Sequence, residues 1–344
     1  LEGFAFFTEA IFLGIYLYGW ERVPPRAHLA AGVVVAASGA ASALFVVLVN
    51  AWMNAPVGFT VAADGTLTNV DPVAALGSPA GPPQVVHMLL AAYAATGLAV
   101  AGVHAFVLRR LAPDAPGRAF HARALAIALA VGAPAALLQP LSGDLSAKAV
   151  AATQPAKLAA MEAQWTTERM APLRIGGWPD ERTETTRWAL EIPGALSVLA
   201  FGDPSAEVAG LDRVPRGDRP PVRVVHVAFQ LMIALGMAMA AVSAWAGWAA
   251  WRHRRRGAPA LADRPRLLLA LAVLAPAGFV AIEAGWTVTE VGRQPWVVQG
   301  VLRTADAVTP VPGLVVPLVT FTLLYVFLAI VVAWLLRQQI AATS

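Results

Sequence analysis

Hydrophobic and polar residues fall along this chain in long blocks rather than in short alternations. Seven apolar stretches lie near 1–20, 28–52, 84–109, 119–141, 222–251, 265–289 and 312–337. Each is as long, or nearly as long, as a helix needs to cross ~30 Å of hydrocarbon. The pattern predicts an all-α polytopic membrane helix bundle with about seven transmembrane segments. One polar segment, 142–221, interrupts it with 11 acidic and 9 basic residues and the turn-rich runs "GGWPDER" and "VPRGDRPP". A connection that long is unusual as a passive linker, so it reads as a functional loop. The chain then divides into membrane helices over 1–141, the loop over 142–221, and membrane helices over 222–344.

Composition agrees: 58% of residues are hydrophobic and only 13% charged, which excludes an ordinary soluble domain. The pI of about 9.9 raises nucleic acid as a partner. The placement of the basic residues answers it. Thirteen of the 25 Lys and Arg fall in four places: Arg22 and Arg26; Arg109 to Arg123; the six between Arg252 and Arg266; and Arg337. These alternate with basic-poor connections such as 53–83, which has none. That is the positive-inside pattern of a multi-pass membrane protein, with 142–221 extracytoplasmic and the bilayer, not nucleic acid, as partner.

The first stretch, "LEGFAFFTEAIFLGIYLYGW", is already helical at Leu1 and has no signal peptide. It reads as a helix entered part-way, so the chain is expected to be a fragment of a longer one.

Charge inside the apolar blocks marks candidate chemistry, because an intramembrane ionisable group costs several kcal/mol unless partnered. Glu283 and Glu290 are seven apart and project from nearly one helix face, with Trp286 and Arg293 each three residues further on. Glu2 and Glu9 repeat the spacing, and Ser42 and Asn50 place a hydroxyl and an amide in the next helix. Such groups suit a proton relay, an ion path or structural hydrogen bonds. There is no cysteine, so thiolate-bound metals and iron–sulfur clusters are excluded. Of six histidines, His87 and His226 fall near outer helix ends. His87 and Met232, at comparable depth on two helices, would suit a six-coordinate low-spin haem, with His226 as the rival ligand.

Several motifs then stand in order: "LEGFAFFTEAIFLG", "VNAWMNAP", "VVHMLL", "QPAKLAAMEAQW", "AFQLM", and "EAGW" followed by "GRQPW". With them the chain resembles subunit I of the cytochrome bd-type quinol oxidases. The resemblance implies an oxidase of the bacterial cytoplasmic membrane that takes electrons from membrane quinol and reduces dioxygen to water, with a second subunit as partner. It also implies roughly a hundred residues upstream, from two and a half helices plus loops, without which the 344 residues by themselves are expected not to complete a dioxygen-reducing centre. It implies His87 and Met232 as axial ligands of a low-spin haem b. It implies Glu290 as a ligand at a high-spin pair, haem b with haem d or a third haem b, with Trp286 and Arg293 packed nearby. Glu2, Glu9 and Ser42 match positions of proton delivery, and Lys157 and Glu162 match loop residues of quinol oxidation. Gln230 departs from the arginine of better-known members, and the loop lacks the long insertion some carry. A haem-free ion transporter and a non-catalytic structural subunit are the alternatives.

Overall fold

The computed structural model describes residues 2–257 and 259–342. Helices α1 (Glu2–Tyr18) and α2 (Pro25–Asn54) form a hairpin. His28 closes it, stacking on Tyr16 at 4.7 Å between ring centroids and bonding the Tyr16 carbonyl at 2.8 Å. A short connection follows, with paired strands β1 (Thr60–Val61) and β2 (Leu67–Thr68) and the one-turn helix α3 (Pro72–Ala75). The Asp71 side chain accepts from the Val73 and Ala74 amides and caps α3. Next come α4 (Gly81–Leu108) and α5 (Arg118–Thr153).

The polar segment holds α6 (Pro155–Met161), β3 (Glu168–Arg169), β4 (Leu173–Ile175), β5 (Trp178–Asp180), β6 (Thr185–Arg187), β7 (Leu190–Ile192), α7 (Ala195–Phe201) and β8 (Glu207–Val208). Its strands pair antiparallel and concentrically, β5 with β6, β4 with β7 and β3 with β8, so the loop is a folded cap. The chain returns through α8 (Val222–Arg256), α9 (Pro265–Val273) and α10 (Ala277–Val291). A hairpin of β9 (Trp296–Val298) and β10 (Leu302–Arg303) precedes α11 (Val315–Ala342).

The bundle is as expected. Six spans among the described residues are long and apolar enough to cross a membrane. The seventh stretch is α1, whose 17 residues rise only about 26 Å. The apolar run ending at 141 does not end its helix: α5 continues to Thr153. Residues 142–153 are polar enough to leave the bilayer, yet "SAKAVAAT" is rich in good helix formers and meets no breaker before Pro155. Helices α9 and α10 form one span, interrupted before Pro276, whose missing amide cannot continue the ladder.

Helices α4, α5, α8 and α10 pack in cyclic order, each on the next. Small residues permit this closeness. A Cβ added at Gly97 would meet Gly132 of α5 at 2.5 Å, and one added at Gly278 would meet Ala95 of α4 at 2.4 Å. The inner half of the ring is filled by an apolar cluster reaching outward to Leu90 on α4, Ala136 on α5, Leu235 on α8 and Ala281 on α10. A second cluster beyond it joins α6, α8 and α10 through Met161, Trp165, Phe229 and Val288.

Candidate functional site

Between the two clusters lies a layer of a different kind. One turn outward from Leu90, Ala136, Leu235 and Ala281 stand His87, Gln139, Met232 and Gly285. His87 and Met232 therefore share one depth, on helices α4 and α8 that face each other across the ring. The Met232 sulfur lies where a Gly285 Cβ would be only 3.2 Å away, so the glycine makes room for the thioether. His87 packs against Gly143, whose absent Cβ would sit 3.5 Å from Cε1.

The hydrogen bonds around His87 select its tautomer. The Ser142 hydroxyl donates to the Gln139 carbonyl at 2.9 Å, so its oxygen is left to accept from His87 Nδ1 at 3.0 Å. The Gln139 amide nitrogen lies 3.2 Å from His87 Nε2 and donates to it. With Nδ1 as donor, Nε2 carries the lone pair, the tautomer in which an imidazole can bind a metal through Nε2. Neither Gln139 nor Ser142 stood out in the sequence; the helix-spaced pairing is visible only once α4 and α5 are packed.

Outward of this layer a polar cluster surrounds Glu290. Its Oε1 accepts from the Asn50 amide, and its Oε2 accepts from Arg293 Nη2 at 2.5 Å. The Glu290 side chain keeps 45% of its surface open although both oxygens are held, so space remains beside it. Arg293 is 3% exposed, and its Nε and Nη1 are buried without partners. Removing Glu290 would strand that guanidinium, at a cost of about 3–5 kcal/mol. Trp286 is half-buried one turn inward, whereas Glu283, expected on the same face as Glu290, is exposed.

The two loop residues diverge. Lys157 on α6 is buried and points down, its Nζ 2.6 Å from Asn54 Oδ1 and 3.1 Å from the Thr289 carbonyl. Burial and the neighbouring Arg293 charge hold its ammonium down at about 7, against Glu290. Glu162 ends α6 and turns the other way, toward Arg174; burial pushes it up to about 8 against that guanidinium. Its Oε2 is buried and unpartnered. Beside Lys157 and Arg293 a cavity of about 140 Å³ is lined by Gln154, Asp218, Trp296 and Gln299. Both polar ends of the Gln154 amide are buried without partners.

Gln230 and His226 are fasteners. The Gln230 amide accepts from the Gly176 N–H at 3.0 Å and donates to the Arg174 carbonyl at 2.9 Å, tying α8 to the cap. The fully buried His226 ring lies 2.8 Å from the Met161 carbonyl and 3.0 Å from that of Gly176. Both ring nitrogens of His226 thus face backbone carbonyls of the cap. On the α1–α2 hairpin the Glu9 carboxylate lies against Gly39, whose Cβ would be 3.7 Å from either oxygen. Buried Ser42 follows Gly39 by one turn, and Glu2 is half-buried one helical repeat from Glu9. At the inner end the His104 and His121 rings share a 2.9 Å hydrogen bond, away from both ligand regions.

The comparisons with known proteins fall on the whole of this arrangement. The model of the family described as cytochrome bd terminal oxidase subunit I matches residues 1–344. A putative cytochrome bd menaquinol oxidase subunit I of Bacillus subtilis (strain 168) is 36% identical over 338 residues, 98% of this chain and 74% of that protein. The cytochrome bd-II ubiquinol oxidase subunit 1 of Escherichia coli (strain K12) is 28% identical over 371 residues, 88% of this chain and 70% of that one. The solved structure of the bd oxidase from Geobacillus thermodenitrificans superposes with a TM-score of 0.87 at 36% identity. That match covers 100% of this chain and 77% of the other.

Proposed function

Because the chain belongs to the cytochrome bd terminal oxidase subunit I family, we propose roles for its residues in the family's reaction, quinol oxidation with reduction of dioxygen to water. It is a haem-containing subunit of a terminal oxidase and a multi-pass bacterial membrane protein; the transporter and structural-subunit readings are not favoured. His87 and Met232 would hold a low-spin haem b. Glu290 would serve the high-spin site, a haem b paired with haem d or a third haem b, with Trp286 and Arg293 beside it.

The residues fit such a group on their own chemistry. The observation that carries the reading is this layer: an imidazole whose Nε2 holds the lone pair, met here only by the Gln139 amide, stands at the depth of a thioether on the opposite helix of a four-helix ring, with glycines where side chains would crowd them. The two unpartnered Arg293 N–H groups fit a carboxylate such as a propionate. Haem, when bound, supplies the one-electron carriers and the iron at which dioxygen is reduced.

The chain's own residues do the rest. Lys157 and Glu162 hold the quinol at the cap, whose segment 142–221 is extracytoplasmic, and protons leave on that side. Glu9, Ser42 and Glu2 carry protons outward from the cytoplasmic end, where the Arg252–Arg266 cluster lies. Release and uptake on opposite sides separate charge without a pump. Gln230 holds the cap on α8, and a second subunit completes the complex. The test is the reduced-minus-oxidised spectrum of the purified complex together with its quinol-dependent oxygen uptake. Low-spin and high-spin haem bands with uptake are expected; a complex without haem bands overturns the reading.

A further inference from the structure

Lys157 belongs to the cap by sequence, yet its ammonium is 3% exposed and ends among residues of α2 and α10. Its first partner, Asn54, is fully buried at the last turn of α2. The Asn54 amide accepts from Lys157 at 2.6 Å, then donates to Asn50 Oδ1 at 2.9 Å and to Thr289 Oγ1 at 3.2 Å. Thr289 donates in turn to Asn50 Oδ1 at 3.2 Å, and the Asn50 amide donates to Glu290 Oε1. Every link runs one way, from the loop lysine to the carboxylate.

That direction is fixed by the ends. An ammonium has only hydrogens to offer and a carboxylate only lone pairs. Turning either amide over would set N–H₂ against the ammonium or oxygen against oxygen. Both amides must therefore hold one orientation, and hydrogen bonds so aligned polarise one another. The chain needs a side chain at position 54 that accepts on one end and donates on the other. A simple fastener between α2 and α6 would not.

We infer that Asn54 is a positioning residue that couples the quinol cap to the high-spin site through the chain Lys157–Asn54–Asn50–Glu290. Asn54 touches neither quinol nor haem; it acts by aligning Asn50 on the Glu290 carboxylate and by holding Lys157 in register. A change at Lys157 then reaches Glu290 across 133 positions of sequence and no direct contact. The inference rests on the roles given above to Lys157 and Glu290.

The test uses the full complex with its haems. Asn54→Leu keeps the volume and removes both polar ends; Lys157→Met empties the start of the chain. Both are expected to shift the high-spin haem bands and midpoint potential while the low-spin bands stay unchanged. Asn54→Leu should also raise the quinol KM about three- to tenfold with a smaller change in kcat. The double variant should shift the high-spin bands no further than Asn54→Leu alone, and Asn54→Gln should restore part of the wild-type spectrum. Should Asn54→Leu fail to assemble, Lys157→Met and Asn54→Gln carry the spectroscopic test. A rise in KM with an unmoved high-spin spectrum and potential in these variants overturns the coupling. Glu290→Ala tells the two levels apart: if it leaves the high-spin bands untouched, the assignment of Glu290 falls, and the coupling with it.

Discussion

The two proposed ligand regions are built on opposite principles. At the inner layer His87 and Met232 sit among small residues, with uncharged Ser142 and Gln139 as the polar partners of His87, each residue on a long helix braced by an apolar cluster. At the outer region Glu290 is gripped by Asn50 and Arg293 and joined through amides to the cap. The inner pair needs only shape and one tautomer. The outer carboxyl lies beside the buried Arg293 guanidinium, and a buried charge requires partners. The contrast says where specificity should be fragile. The inner site should fail through volume or loss of the donor atom, the outer one through loss of a single hydrogen bond.

The largest effect should come from Met232→Leu, which keeps volume and apolarity but removes the thioether. The low-spin haem is expected to be lost or to become high-spin, with quinol oxidation abolished and the subunit still inserted. A normal low-spin spectrum in this variant would break the comparison at its inner half. Gly285→Val probes the same layer by volume, since even its Cβ falls 3.2 Å from the Met232 sulfur. Overpacking of this kind typically costs 1–3 kcal/mol. The expected readout is a weakened low-spin signal with the high-spin bands preserved.

A subtler change is Ser142→Ala. It removes the acceptor that holds the His87 Nδ1 proton, so Nε2 becomes a poorer donor. Losses of such outer partners cost about 10- to 100-fold in metal affinity or activity. We expect a raised low-spin midpoint potential and slower quinol oxidation, with full haem content. An unchanged potential would show that packing alone orients the ring.

What the sequence disclosed follows the same division. Long apolar blocks and basic clusters gave the bundle, because the bilayer imposes length and charge placement directly on the chain. The loop's paired strands escaped notice, since strands of two or three residues leave no period to read. The end of α5 is not legible because hydropathy stops at the membrane surface while the helix does not. His87 and Glu290 are legible in the sequence as polar or charged groups in apolar surroundings, and Met232 through its motif. Gln139, Ser142 and Asn54 are not, for an amide or hydroxyl near a helix end is ordinary by itself. Their significance lies in partners 52, 55 and 103 positions away.

The smallest effect concerns the cap, and its sign separates the two loop residues. Glu162 is raised in the folded protein from 4.5 to about 8 by burial, so the folded state holds a proton that the unfolded chain gives up. Its contribution to stability is complete below about 4.5 and declines as pH rises toward about 8. Lys157 is lowered from 10.5 to about 7, so its contribution changes only above about 7 and with the opposite slope. Between about pH 5 and about pH 7 the Glu162 effect therefore stands apart from that of Lys157. Glu162→Gln fixes the neutral form with nearly the same shape. The wild-type Tm should fall across that interval more steeply than the variant's, and the quinol KM of the wild type should change as pH passes about 8 while the variant's stays level. Equal slopes for the two proteins would mean that Glu162 is ionised in the fold, paired to Arg174. The cap would then hold its acid as the outer site holds Glu290, by an ion pair.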